Sequence, residues 1–156
     1  MLSNITLGQY YPGNSALHKL DPRTKILLTT TFISSIFLAQ SYLGYLVLTA
    51  FVVMTIAISR IPFKLILRSI KPLWIIVAFT LGIHMLTTPG TEMYAWGIIS
   101  ITKEGLRQGL MMSARLIYLI IISSLLTFTT SPIALTDGIE MLLRPLNTIG
   151  VPAHEL

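Results

Sequence analysis

From Ile26 to Ser59 the chain runs for 34 residues without one charge, bracketed by Lys25 and Arg60. A helix in a water-soluble domain keeps a solvated face, so no soluble fold needs such a stretch. One membrane helix takes about 20 residues to cross about 30 Å of hydrocarbon, so this run is too long for a single span. Divided in two it leaves about 17 residues each, the lower end of the spanning range. Near its middle lies Gln40-Ser41-Tyr42-Leu43-Gly44, the only local cluster of polar and helix-weakening residues. The run therefore predicts a tight helical hairpin that enters and leaves the membrane on one side.

Composition agrees. Only 11% of the 156 residues are charged and 53% are hydrophobic, against about 25% charged in ordinary globular domains. Such a surface must face lipid. The net charge of +5 is no nucleic-acid footprint, because the basic residues sit beside apolar runs where they anchor spans and fix orientation. Without cysteine, disulfides, thiolate metal clusters and thiol catalysis are excluded. A cleavable signal peptide is not expected, since the first apolar run starts at Ile26 and is far longer than a signal core.

Helix-start chemistry recurs along the chain. In Asp21-Pro22, Asp can accept from free N–H groups and Pro fits the first helical position. Arg60, Lys64, Arg68 and Lys71 are spaced by four, four and three, which places them on one helical face. Leu65, Ile66, Leu67 and Ile70 supply apolar surface, so this segment is expected to lie along the membrane before Pro72. A third apolar run, Leu73 to Leu86, is followed by residues 87–102, read as a polar-aromatic loop. A fourth helix is expected from Thr102 or Lys103 to Phe128.

Segments 18–25 and 60–71 carry seven lysines and arginines, whereas the 40–44 turn and the 87–102 loop carry none. The positive-inside rule then places both basic segments in the cytoplasm, with Asp21, Arg23, Lys25, Arg60, Lys64, Arg68 and Lys71 as topology anchors. Lys103 and Arg107 run against this pattern. The expected fold is an all-α polytopic membrane protein with a cytoplasmic N-terminus. Its transmembrane domain covers residues 1–130, with spans at roughly 24–40, 43–59, 72–88 and 104–128. Ser131-Pro132 opens a further helix, in which Leu135, Ile139, Leu142, Leu143 and Leu146 follow helical spacing and Asp137, Glu140 and Arg144 occupy another face. Residues 131–156 thus read as an amphipathic cytoplasmic segment.

Polar chemistry inside the spans is sparse. No phosphate-binding loop occurs, and no two histidines stand at helical spacing, so no catalytic, metal or cofactor residues are assigned. His84 reads either as a hydrogen-bonded helix-end residue or as a contact to substrate or proton. Arg115 is the most demanding residue, because a charge at the centre of a span costs about 2.5–3.5 kcal/mol. Glu104 lies about 16 Å before it along the helix. That leaves a snorkelling anchor or a contact with carbonyl, hydroxyl, lipid phosphate or another subunit. Gly105, Gly109 and Ser113 repeat at four-residue spacing and mark a helix-packing face. Thr29, Thr30, Thr31, Ser34 and Ser35 are expected to bond back to their own helix. On these grounds a scaffold that docks cytoplasmic proteins leads over a small transporter binding solute itself, and over an intramembrane enzyme.

Two segments carry a resemblance. Gly13-x-Ser15-x-x-His18-x-Leu20-Asp21-Pro22-Arg23-x-Lys25 precedes the long apolar run. Thr129-Thr130-Ser131-Pro132 leads into Leu135-Thr136-Asp137-Gly138-Ile139-Glu140-x-Leu142-Leu143-x-Pro145-Leu146, then Gly150-Val151-Pro152-x-x-Glu155-Leu156. In this order they are similar to the transmembrane T component of energy-coupling factor transporters. The resemblance implies a membrane scaffold joining a substrate-binding membrane subunit to two ABC-type ATPases, for uptake of vitamins or of cobalt or nickel ions. ATP hydrolysis would then belong to the partners. Arg115, Ser131, Pro132, Asp137, Glu140, Leu143 and Pro145 are the candidate partner-interface residues. Such T components continue into long coupling helices with Ala-Arg-Gly-like motifs. None follows Leu156 here, so residues 131–156 are expected to be the start of a coupling region, unable to couple ATPases alone.

Overall fold

The computed structural model describes residues 10–96 and 99–144. Seven α-helices and one hairpin follow in order: α1 (Ala16–Lys19), α2 (Pro22–Leu38), α3 (Tyr42–Ser59), α4 (Phe63–Ile70), a 3-10 turn (Lys71–Leu73), α5 (Trp74–Thr87), β1 (Glu92–Trp96), β2 (Ile99–Thr102), α6 (Lys103–Thr129) and α7 (Pro132–Leu143). The architecture is all-α, and its exterior is oily. Leu38, Leu43, Ile75 and Phe79 are each more than two-thirds exposed. Only a lipid solvent tolerates that much apolar surface on so many helices. Among the described residues, three helical runs are long and apolar enough to cross a membrane: Tyr42–Ser59, Phe63–Thr87 and Lys103–Thr129. The apolar α2 has 17 residues, at the lower end of the spanning range.

Local chemistry sets the boundaries. Asp21 caps α2 by accepting from Arg23 N–H at 2.9 Å, with Pro22 in the first turn. The break between α2 and α3 falls at Ala39–Ser41, where Ser41 Oγ accepts from Gly44 N–H. Arg60 ends α3 in the left-handed region at φ 53°, a conformation that favours glycine. Ser131 caps α7 through Ala134 N–H, again with Pro in the first turn. Within α2, Thr30, Ser34 and Ser35 donate to the carbonyls of Ile26, Thr30 and Thr31, so these hydroxyls are satisfied inside their own helix.

Two compact units divide the chain: Met1–Ile66 with Ile122–Leu156, and Leu67–Ile121. In the first, Phe32 and Ile36 of α2, Leu48 and Val52 of α3, and Ile122, Leu125 and Phe128 of α6 are buried. Phe32 stacks on Phe51 at 4.9 Å between ring centroids.

In the second unit, residues expected to form a loop contain an antiparallel hairpin. Glu92 pairs with Thr102, Tyr94 with Ile101 and Ala95 with Ser100, with a register shift between Glu92 and Tyr94. Tyr94, Trp96, Ile99 and Ile101 are the aromatic and β-branched types that suit strands, which explains the correction. Glu104 fixes the hairpin's base, accepting from Thr91 N–H at 2.7 Å and from Thr91 Oγ1 at 3.0 Å. Thr102 Oγ1 donates to Thr88 O and accepts from Gly105 N–H. A second correction concerns the basic segment: helix continues from α4 through Lys71-Pro72-Leu73 into α5. Pro72 sits in the first turn of the 3-10 element, where its missing N–H breaks no bond.

Candidate functional site: the α2–α6–α7 junction

The last carbonyls of a helix have no partner within it and carry its negative dipole end. α6 has no basic residue in its last turn, so compensation must come from elsewhere. Lys25 supplies it. Its Nζ donates to Thr129 O at 2.8 Å and to His18 O at 3.4 Å. Lys25 is only 7% exposed, so its ammonium serves the helix joint through these carbonyls. The partners are carbonyls, and nothing in the sequence pattern marks a carbonyl as a ligand.

The segment before α2 completes the joint. Tyr11 N–H donates to Phe128 O at 2.9 Å. His18 Nε2 lies 2.9 Å from Tyr11 O, and Nδ1 lies 2.6 Å from Ser15 Oγ. A carbonyl can only accept, so Nε2 carries the proton, and in the neutral ring Nδ1 accepts from the Ser15 hydroxyl. Ser15 is buried at the base of this turn. His18, which stands alone in sequence, is thus the centre of a network that holds residues 11–18 against the end of α6.

α7 packs on α2 at the same joint. A Cβ on Gly138 would lie 3.0 Å from Pro22 Cβ and 3.1 Å from Ile26 Cδ1, so only glycine allows this approach without displacement. Arg23 Nε points at Met141 Sδ, 3.0 Å away. Thr130, between α6 and α7, is buried, and its hydroxyl has no hydrogen-bond partner among the described residues. Gly138 is buried on α2, while Asp137 and Glu140, with Thr136 and Ile133, are exposed. Leu143 is half-buried near the end of α7, and Pro145 lies outside the described residues. The two sequence segments that carry the family resemblance therefore meet in space: Lys25 bonds Thr129, and Pro22 lies against Gly138.

The remaining site candidates divide. In the second unit α6 lays its small residues on α5. A Cβ on Gly105 would fall 2.5 Å from His84 O, one on Gly109 2.9 Å from Leu81 Cδ1, and Ser113 Oγ donates to Val77 O at 3.4 Å. His84 is part of that helix contact. Arg115 is half-buried, with Nη1 3.8 Å from Met112 Sδ one turn earlier, while Glu104 is engaged with Thr91. Arg23, Arg60, Lys64, Arg68 and Lys71 are exposed. Among the described residues no group of His, Asp or Glu is placed to hold a metal ion.

Helices that expose leucine and phenylalanine and collect their polar contacts at helix ends define an integral all-α membrane protein. Comparison with known proteins narrows this class. The cobalt transport protein (CbiQ) family profile matches residues 13–153. The energy-coupling factor transporter transmembrane protein EcfT of Acidaminococcus fermentans is 57% identical over 156 residues, all of this chain and 58% of that protein. Its namesakes are 52% identical in Ruminiclostridium cellulolyticum, over all of this chain and 58% of the relative, and 40% identical in Bacillus subtilis, over all of this chain and 59% of the relative. The chain belongs to the CbiQ cobalt transport protein family. It spans a little under three-fifths of the length of the curated relatives it matches.

Proposed function

We propose that this chain acts as membrane scaffold in an energy-coupling factor importer, joining a substrate-binding membrane subunit to two cytoplasmic ABC ATPases. The observation that carries this reading is the junction. The Lys25–Thr129 contact ties the end of α6 to α2, and the Gly138 approach seats α7 on α2, with Asp137 and Glu140 turned outward for a partner. The energy-coupling factor names of the relatives support an importer of this class, and the family's cobalt transport designation supports cobalt as a cargo; vitamins and nickel ions are the other cargoes the sequence resemblance implies. ATP hydrolysis belongs to the partners in this scheme.

Four crossings accompany this reading, with α2, α3, the α4–α5 run and α6 traversing a cell membrane. The N-terminus, Arg60 and α7 then lie on the cytoplasmic side, since the basic residues collect at those ends. Charged groups at the α7 end suit docking to an ATPase, and the oily flanks suit the membrane subunit.

Co-expression with a substrate-binding membrane subunit and the two ATPases of an importer of this class tests the proposal. A tagged chain should retain the membrane subunit through detergent extraction. Reversing Asp137 and Glu140 to lysine should weaken ATPase capture and leave the membrane subunit bound. Retention of neither partner overturns the scaffold reading, and binding of solute by the purified chain alone would replace it with a self-contained transporter.

A further inference from the structure

A groove of about 200 Å³ opens between α2, α3 and α6 within the first unit. Its walls are almost wholly apolar, with Leu28, Phe32, Phe51, Met54 and Leu125 among them, and Lys25 and Thr129 border one end. That end lies where α2 begins and α6 finishes. From Lys25 to Phe32 the groove follows two turns of α2, about 10 Å at 1.5 Å per residue. One leaflet of the hydrocarbon core is about 15 Å deep. A partner helix would need an apolar strip along the whole span, whereas this groove fits within one leaflet and starts at the helix ends.

Its polar end is cationic. Lys25 has two of its three ammonium donors matched, both by carbonyls, and among the described residues no carboxylate lies within salt-bridge distance of it. Lys19, Arg23, Arg60 and Lys64, in the stretches that flank the start of α2 and the end of α3, are exposed. The nearby Asp21 carboxylate is bonded to Arg23 N–H, and Asp137 and Glu140 lie on the face of α7 away from Gly138. Apolar walls one leaflet deep, ended by an ammonium that keeps one donor beyond its two carbonyls, match one ligand chemistry.

We propose that this groove is a binding site for an anionic phospholipid, with one acyl chain along Phe32, Phe51 and Met54 and its phosphate drawn to the Lys25 end. The bound lipid would complete the packing of α2 against α3 and α6 near the junction. The proposal stands whether or not the scaffold reading holds.

Tryptophan quenching by brominated lipids tests it. In a Trp74→Phe, Trp96→Phe background, Met54→Trp places the only indole on the groove wall. The full chain is reconstituted in vesicles containing brominated phosphatidylglycerol or, separately, brominated phosphatidylcholine at equal mole fraction. The anionic lipid should quench with about fivefold higher apparent affinity, the effect expected of one basic residue near a bilayer surface. Lys25→Gln should remove the preference, while Lys25→Arg and Lys64→Gln retain it. Equal quenching by both lipids overturns the site, as does quenching by neither, which would mean that protein fills the groove. An equal loss in Lys64→Gln would assign the preference to general surface charge and also overturn it. If Lys25→Gln loses its helical circular dichroism, the lipid comparison in the parent and in Lys25→Arg decides.

Discussion

The ammonium of Lys25 and the carbonyl of Thr129, 104 residues apart in sequence, are joined at 2.8 Å in the buried centre of the α2–α6–α7 junction. The bond joins the start of the first long helix to the end of the last. Charge-assisted bonds of this kind contribute about 1.5–3 kcal/mol, and losing one partner leaves the other polar group buried without compensation. Lys25→Met should therefore lower stability by about 2 kcal/mol, read as a reduced melting temperature in detergent. Lys25→Arg keeps a donor and a charge and should recover much of the loss. An unchanged melting temperature for Lys25→Met would show that the contact carries no net stabilisation.

At the α5–α6 contact, two glycines on one face should respond differently. In a helix interior, Gly→Ala gains about 1 kcal/mol from propensity, and steric cost must be set against that gain. At Gly109 the nearest atom is the flexible tip of Leu81 at 2.9 Å, and the nearest carbonyl, Leu81 O, stands at 3.1 Å, so Gly109→Ala should be close to neutral, the propensity gain offsetting a small adjustment. At Gly105 the new methyl would meet the rigid carbonyl of His84 at 2.5 Å. Overpacking of that kind costs about 1–3 kcal/mol, so Gly105→Ala should destabilise. Thermal unfolding of the two single variants makes the comparison, and equal effects would contradict it.

Glu104 binds the segment preceding the hairpin through both the amide and the hydroxyl of Thr91. Glu104→Gln keeps one acceptor oxygen and Glu104→Ala keeps none. Amide exchange at Thr91 should therefore rise modestly in the first variant and strongly in the second, with α6 itself unaffected. Exchange spreading into α6 at residues 110–120 would show that Glu104 supports the helix and not only the hairpin.

How far these features were legible from sequence follows from the range of the interactions involved. Asp21-Pro22 and Ser131-Pro132 announced their helices because a cap acts over three residues. The uncharged run announced lipid because charge is visible residue by residue. Gly105, Gly109 and Ser113 announced a packing face through spacing alone, though not which helix would cover it. The hairpin from Glu92 to Thr102 was missed although Tyr94, Trp96, Ile99 and Ile101 carried a strand signal, since short polar-aromatic stretches between spans also suit loops. The contacts of Lys25 and His18 stayed hidden for a deeper reason. Their partners are main-chain carbonyls, which every residue possesses, so no side-chain pattern could identify them. The junction became visible only when residues 11–25 and 128–141 were placed together.

Gly138 gives the sharpest test of the junction's role. Its Cβ position lies 3.0 Å from Pro22 Cβ, and a proline at the start of a helix has little freedom to move aside. Gly138→Leu must therefore displace α7 from α2, at a cost of about 1–3 kcal/mol if the core resists. The Lys25–Thr129 bond belongs to α6 and survives such a shift, so the spans should keep their helicity while α7 loosens. Limited proteolysis reads the difference: cleavage near residues 130–136 should accelerate with circular dichroism unchanged. Gly138→Ala adds only one methyl and should fall between the parent and Gly138→Leu. Global loss of helicity in Gly138→Leu would instead mean that the α2–α7 contact holds the membrane helices together, and that α7 is part of the transmembrane fold and not a segment docked upon it.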